Sequence, residues 1–171
     1  AGTSAQGQAT LQKAAAIAIA AGDGELLARA ALCFGVPLAV GRVDPEEVEL
    51  LGRALGLLDP ADSPLRARLL ARLATALMFG AEDTRCMQLA DDALAMARRV
   101  GDAATLARVL FTRHQTLWNG GMPGERLQIA EEGIELADAQ QDARLSLELR
   151  ALRLGDLIEL VAGVDGILQV Q

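Results

Sequence analysis

One histidine, two cysteines and no tyrosine narrow the chemistry open to this chain of 171 residues. Catalysis needs a converging set of nucleophile, base and charge-stabilising groups. His114 stands between Arg113 and Gln115, with no cysteine beside it in the sequence. On a helix these three could form a polar contact site, or His114 could be a capped histidine at the edge of a core. Asp91-Asp92 and Glu131-Glu132 have the composition for metal binding or acid–base work. They recur at a constant spacing on what reads as an outer helix, so a solvated face accounts for them. Gly120-Gly121 lacks the Lys-Ser/Thr of a phosphate cradle, and a hairpin turn accounts for it. No Cys or His pair has metal-ligand spacing. Cys33 and Cys86 lie in apolar helical pattern and read as small buried residues, which fits a reducing compartment. These residues point to a protein without catalytic activity, cofactor or metal.

Groups suited to recognition are better represented. Arg68 and Arg108 are 40 residues apart, and Phe111, Gln115, the single tryptophan Trp118 and Asn119 follow Arg108. Arg and Trp are over-represented among the residues that dominate binding interfaces. Whether these side chains meet depends on the elements that carry them.

Those elements repeat. Leu89-Ala90-Asp91-Asp92-Ala93-Leu94-Ala95-Met96-Ala97 is echoed by Ile129-Ala130-Glu131-Glu132-Gly133-Ile134-Glu135-Leu136-Ala137. Asp23, Asp62, Asp102 and Asp142 mark one place in four successive units, at intervals of 39, 40 and 40. A period of ~40 residues is the signature of stacked helical hairpins. Half the residues are apolar but only 2% are aromatic, so the apolar mass is Ala and Leu, both strong helix formers. No stretch alternates in the manner of a strand. The expected fold is all-α: a right-handed solenoid of about four antiparallel hairpins in a single domain, 1–171.

Local signals place the helices. Gly22-Asp23 and Gly101-Asp102 each close one helix and cap the next. Asp44-Pro45-Glu46-Glu47 starts a helix, with Asp44 as N-cap and Glu47 completing a capping box. Helices are expected over 10–21, 24–34, 45–58, 64–79, 82–100, 103–118, 123–140 and 142–161. Gly163, Asp165 and Gly166 interrupt the pattern, and 164–171 reads as the opening of a further helix.

Counting from the capping Asp, the seventh (Leu69, Val109, Leu149), eighth (Leu70, Leu110, Arg150) and fifteenth (Leu77, Leu117, Leu157) positions form an inward stripe. Leu73 joins it. The sixth, ninth, thirteenth, sixteenth and seventeenth positions face the concave side. They hold Arg68, Ala71, Thr75, Met78 and Phe79, then Arg108, Phe111, Gln115, Trp118 and Asn119, then Glu148, Ala151, Gly155, Ile158 and Glu159. Arg68, Arg108 and Trp118 are therefore expected on one surface, although Trp118 could instead plug a repeat junction.

This hairpin grammar resembles the tetratricopeptide-repeat superfamily, with the Gly80 turn followed by small residues Cys86, Ala90 and Ala93. Repeats of ~40 residues depart from that family's 34. A closer resemblance rests on Gly22-Asp23 through Leu26–Leu32, on Ser63-Pro64 through Leu73, and on Arg113-His114 followed by Leu117-Trp118. These resemble the helical-repeat region of large actinobacterial ATP-dependent regulators of the LuxR type. The resemblance implies a sensor or interaction segment of a transcriptional regulator, part of a larger protein. It would recognise a peptide, a partner domain or a small effector, with a structural scaffold or self-association role as the alternative. The nucleotide-binding motif of that family is not in this chain.

The net charge of −7, with arginines scattered, argues against direct nucleic-acid binding. No stretch is long and apolar enough for a membrane span, and a cytoplasmic location is expected. The apolar residues Val164, Ile167, Leu168 and Val170, with no helix after them, predict self-association through an uncapped terminus or a mobile tail.

Overall fold

The computed structural model describes residues 5–34, 42–80, 83–119 and 122–168; at 5, 8, 83, 119 and 163–168 it describes the backbone alone. Among these residues there are eight α-helices, one 3-10 turn and no strand. The helices are α1 (Ala5–Ala21), α2 (Gly24–Cys33), α3 (Pro45–Leu57), α4 (Pro64–Leu77), α5 (Asp83–Val100), α6 (Ala103–Thr116), α7 (Pro123–Ala139) and α8 (Ala143–Leu168). Each packs on the next in the chain. A second set of contacts joins every other helix: α4 packs on α2 and on α6, and α6 touches α8.

Side-chain caps start several of these helices. The Leu26 N–H donates to Asp23 at 2.9 Å, Thr105 N–H to Asp102 at 2.9 Å and Leu145 N–H to Asp142 at 3.0 Å. Each bond satisfies a backbone donor that the helix itself leaves free. The preceding residue turns the chain through positive φ: Gly22 at 67°, Gly101 at 73° and Gln141 at 58°. Glycine takes this conformation without a Cβ penalty, whereas Gln141 does not. Gln141→Gly should therefore stabilise the protein by about 0.5–1 kcal/mol, read as a higher urea midpoint at unchanged slope.

Asp62 departs from the expected pattern. Ser63 caps α4 through Arg66 N–H, and Asp62 instead accepts from Arg99 at 2.6 and 3.0 Å. The capping box at α3 is also revised. Asp44 accepts from the Glu46 and Glu47 N–H groups, but the Glu47 carboxylate is buried against the Arg72 guanidinium of α4. Burial raises the Glu47 pKa, and Arg72 only partly offsets it.

The core falls into three clusters along the chain, with a middle one of Ala67, Ala71, Ala93, Met96, Ala97 and Val109. Leu27, Leu51, Leu69, Ala74 and Cys86 anchor the first half, and Ile134, Leu145 and Leu149 the second. Of the inward stripe, Leu73, Leu77, Leu110, Leu117 and Leu149 are buried, while Leu70 and Leu157 are half-buried. Asp91, Asp92 and Glu131 are exposed, and Glu132 is half-exposed in an ion pair with Arg98. Gly24 sits where a Cβ would stand 2.5 Å from the Leu57 carbonyl oxygen, so only glycine lets α2 meet the end of α3 so closely.

Two expectations are corrected. Cys33 is exposed; only Cys86 is buried, where its Sγ donates to the Ala74 carbonyl. α8 does not stop near Val161 but runs through Gly163 to Leu168. A glycine inside a helix costs only about 1 kcal/mol relative to alanine, and no proline follows to end this one. The side chains of Val164, Ile167 and Leu168, and the whole of Val170, lie outside the described residues.

Candidate functional site

The helical repeat places Arg68 on α4 and Arg108 on α6, at matching positions of two helices that pack side by side. Between them lies a pocket of about 150 Å³ lined by Arg68, Arg108, Thr75, Phe111, Thr112 and Gln115, with further lining from Arg72 and from Leu32 of α2. Both arginines are exposed at its rim, Phe111 is half-buried and Gln115 is buried. Six of the expected groove residues, Arg68, Ala71, Thr75, Arg108, Phe111 and Gln115, thus share one concavity.

The two arginines differ in one respect. Arg108 reaches forward and donates to the Asp142 carboxylate at 2.8 Å, the same carboxylate that caps α8. The matching partner for Arg68 is Asp102, the cap of α6. No ion pair or hydrogen bond joins them, and Arg68 has none with any described residue. Loss of hydration lowers the Arg68 pKa below the usual arginine value, and the positive charges of Arg108 and Arg29 push the same way. Asp102 opposes this only in part. Arg68 is thus a charged donor held beside like charges with no anion between them. A carboxylate or phosphate oxygen at the pocket rim would find the Arg68 guanidinium available as a forked donor, with the charge of Arg108 close by.

His114 and Trp118 are not part of this pocket. His114 is 0% exposed, and its Nε2 stands 2.6 Å from Asp156 Oδ2 of α8. Asp156 is also 0% exposed and accepts from Arg126 Nε of α7 at 2.8 Å. Arg126 also pairs with Glu159, and its guanidinium lies 5.5 Å from the Trp118 ring centroid. Burial alone would lower the Arg126 pKa, but Asp156 and Glu159 outweigh it and raise it above the usual value. The result is a polar knot that ties three helices together. Both members of the His–Asp pair are wholly buried, and the pair bonds α6 to α8.

Trp118 does not line this pocket; it is 55% exposed, over Arg126 and beside Gly155. The cause is local. α6 gives way at Leu117 to a 3-10 turn, which has three residues per turn, so Trp118 leaves the helical register that Arg108, Phe111 and Gln115 share. The Asn119 side chain lies outside the described residues.

Sequence reasoning missed Arg126 and Asp156, and expected Glu159 only as a groove position. One signal was present. Asp156 falls on the inward stripe of α8 with Leu145, Leu149 and Leu152, and an acid on a core stripe asks for a buried partner.

A second concavity, about 340 Å³, lies between α1 and α3 over Ala15, Ala16, Ile19 and Leu50, with Glu46 and Glu49 among its lining. Gln12 donates to Glu46 across it. Among the described residues no three His, Cys, Asp or Glu side chains converge as metal ligands, and no helix is long and apolar enough to cross a membrane. Comparison with protein-family models, with curated proteins and with solved structures finds no match for this chain.

Proposed function

We propose that this chain is a non-catalytic binding module. It is built as a right-handed solenoid of about four antiparallel helical hairpins of the tetratricopeptide kind. Its α4–α6 face binds an acidic peptide segment of a partner protein or domain. In its parent protein it serves as the interaction part of a LuxR-type transcriptional regulator. The ~40-residue period, the caps at matching positions and the packing of alternate helices support the hairpin reading. The observation that carries the binding reading is Arg68. It is the one guanidinium at the pocket that has no protein partner, and it faces a second arginine one repeat away.

The test is a binding titration with a labelled Glu/Asp-rich peptide and its Gln/Asn counterpart. The acidic peptide should bind more tightly, with an affinity that falls as salt rises. Arg68→Met keeps the apolar stem and removes the charge. It should weaken the acidic peptide by about 10-fold or more, since a hydrogen bond to a charged group is worth roughly 1.5–3 kcal/mol. Adding Arg108→Met should abolish the preference for acid. Equal binding of both peptides, or unchanged affinity in Arg68→Met, would remove the proposal.

A further inference from the structure

Gln115 reaches the α4–α6 pocket from α6 and is 9% exposed. Its carboxamide bonds to no described residue, and neither of its polar atoms is sealed from the pocket. Buried polar side chains as a rule have a partner. The matching residue one repeat earlier follows that rule. Thr75 is also buried at the pocket, and its hydroxyl donates to the Ala71 carbonyl of its own helix at 3.2 Å. On α6 the polar group at this place is instead held in a nearly closed position with both of its hydrogen-bonding halves unused.

A carboxamide presents an acceptor oxygen and a donor nitrogen side by side. A second amide answers both, whereas a carboxylate answers only the donor and an ammonium only the acceptor. Arg108, Phe111 and Gln115 follow one another along α6 at steps of three and four residues, so they share one face. Gln115 is two turns from Arg108, about 10 Å along the helix axis. An extended peptide covers that distance in about three residues. Its side chains alternate between faces, so the one about three residues from an acid in the pocket points away. The main-chain amide at that place is the group left to meet Gln115.

We propose that Gln115 bonds a main-chain amide of the bound peptide, about three residues from the acidic residue that meets Arg68. This rests on the acidic-peptide reading and adds to it. The pocket reads charge at one end and backbone at the other. It therefore takes an extended segment and makes little demand on the side chains that follow the acid.

The probe is a labelled Ser/Ala peptide with one Glu-Glu pair, titrated beside its Ala-Ala counterpart. The wild type should prefer the acidic form. Gln115→Met keeps the volume and removes both bonds. It should weaken the acidic peptide by about 10-fold and leave the preference for acid in place. A series of the acidic peptide with single main-chain amides exchanged for esters tests the same bond on the unaltered protein. One ester, about three residues from the Glu pair, should weaken binding to the wild type by about 5-fold and leave binding to Gln115→Met as it was. Unchanged affinity in Gln115→Met, with the acid preference intact, would overturn this inference and leave the binding reading standing. So would a loss in Gln115→Met with no ester-sensitive position in the wild type, or an ester effect equal in both proteins. No preference for the acid in the wild type would remove both.

Discussion

Asp156→Ala should destabilise the protein by about 3–5 kcal/mol, the cost of removing one partner from a buried ion pair. Asp156 is the centre of the knot: it receives His114 from α6 and Arg126 from α7, and all three side chains are almost wholly buried. Without it the Arg126 charge loses its main buried counter-ion, and the His114 Nε2 loses its partner. The desolvation cost of both groups is then left uncompensated. Asp156→Asn keeps the shape and should cost less. Replacing the trio together, with His114→Leu, Arg126→Met and Asp156→Leu, should recover much of the loss, because an apolar set of similar volume carries no desolvation cost. Trp118 is the sole tryptophan and lies over Arg126, so its fluorescence should report the disruption directly. Equal stability of the Asp156→Ala variant and the wild type in urea would show that the knot holds nothing together.

Leu149→Ala should cost about 2–5 kcal/mol, as full truncation of a buried leucine does. Leu149 is 0% exposed and packs with Ala107, Ile134, Ala137 and Leu145 where α6, α7 and α8 meet. Its two Cδ atoms stand 3.0 and 3.1 Å from the place where a Cβ on Gly133 would sit. Leucine and glycine are therefore complementary across the α7–α8 contact. In the wild type, Gly133→Ala must push Leu149 aside. In the Leu149→Ala background the same change fills part of the void and gains helix propensity, about 1 kcal/mol. The double variant should therefore be more stable than Leu149→Ala alone. Simple additivity of the two changes, measured by urea unfolding, would contradict this packing.

Local chemistry was legible in the sequence. Asp23, Asp102 and Asp142 cap helices because a carboxylate three residues before a free N–H needs no other context. The grouping of Arg68 with Arg108, Phe111 and Gln115 was legible as well, because a fixed period on regular helices maps sequence spacing onto one face. The failures have equally specific causes. Trp118 lies outside the pocket, past the 3-10 turn at Leu117, whose geometry the period does not encode. Glu47 turned from its capping role to Arg72, a choice set by tertiary packing between α3 and α4. The His114–Asp156 bond joins residues 42 apart, and the Arg126–Asp156 bond joins residues 30 apart. Neither separation matches the repeat, so the knot is specific to one junction and leaves no periodic trace.

The role of Arg68 is tested most directly by its effect on stability with and without ligand. Arg68 is exposed at the pocket rim and bonds to no described residue, so it adds little to the stability of the fold. Thermal unfolding of Arg68→Met, alone and with the Glu/Asp-rich peptide in excess, separates the two roles. Without peptide the variant should unfold at the wild-type temperature or up to about 4 °C higher, a gain of no more than ~1 kcal/mol. With peptide the wild type should rise in Tm and the variant should not. An Arg68→Met protein that melts well below the wild type and is still stabilised by the peptide would make Arg68 a structural residue and place the binding surface elsewhere.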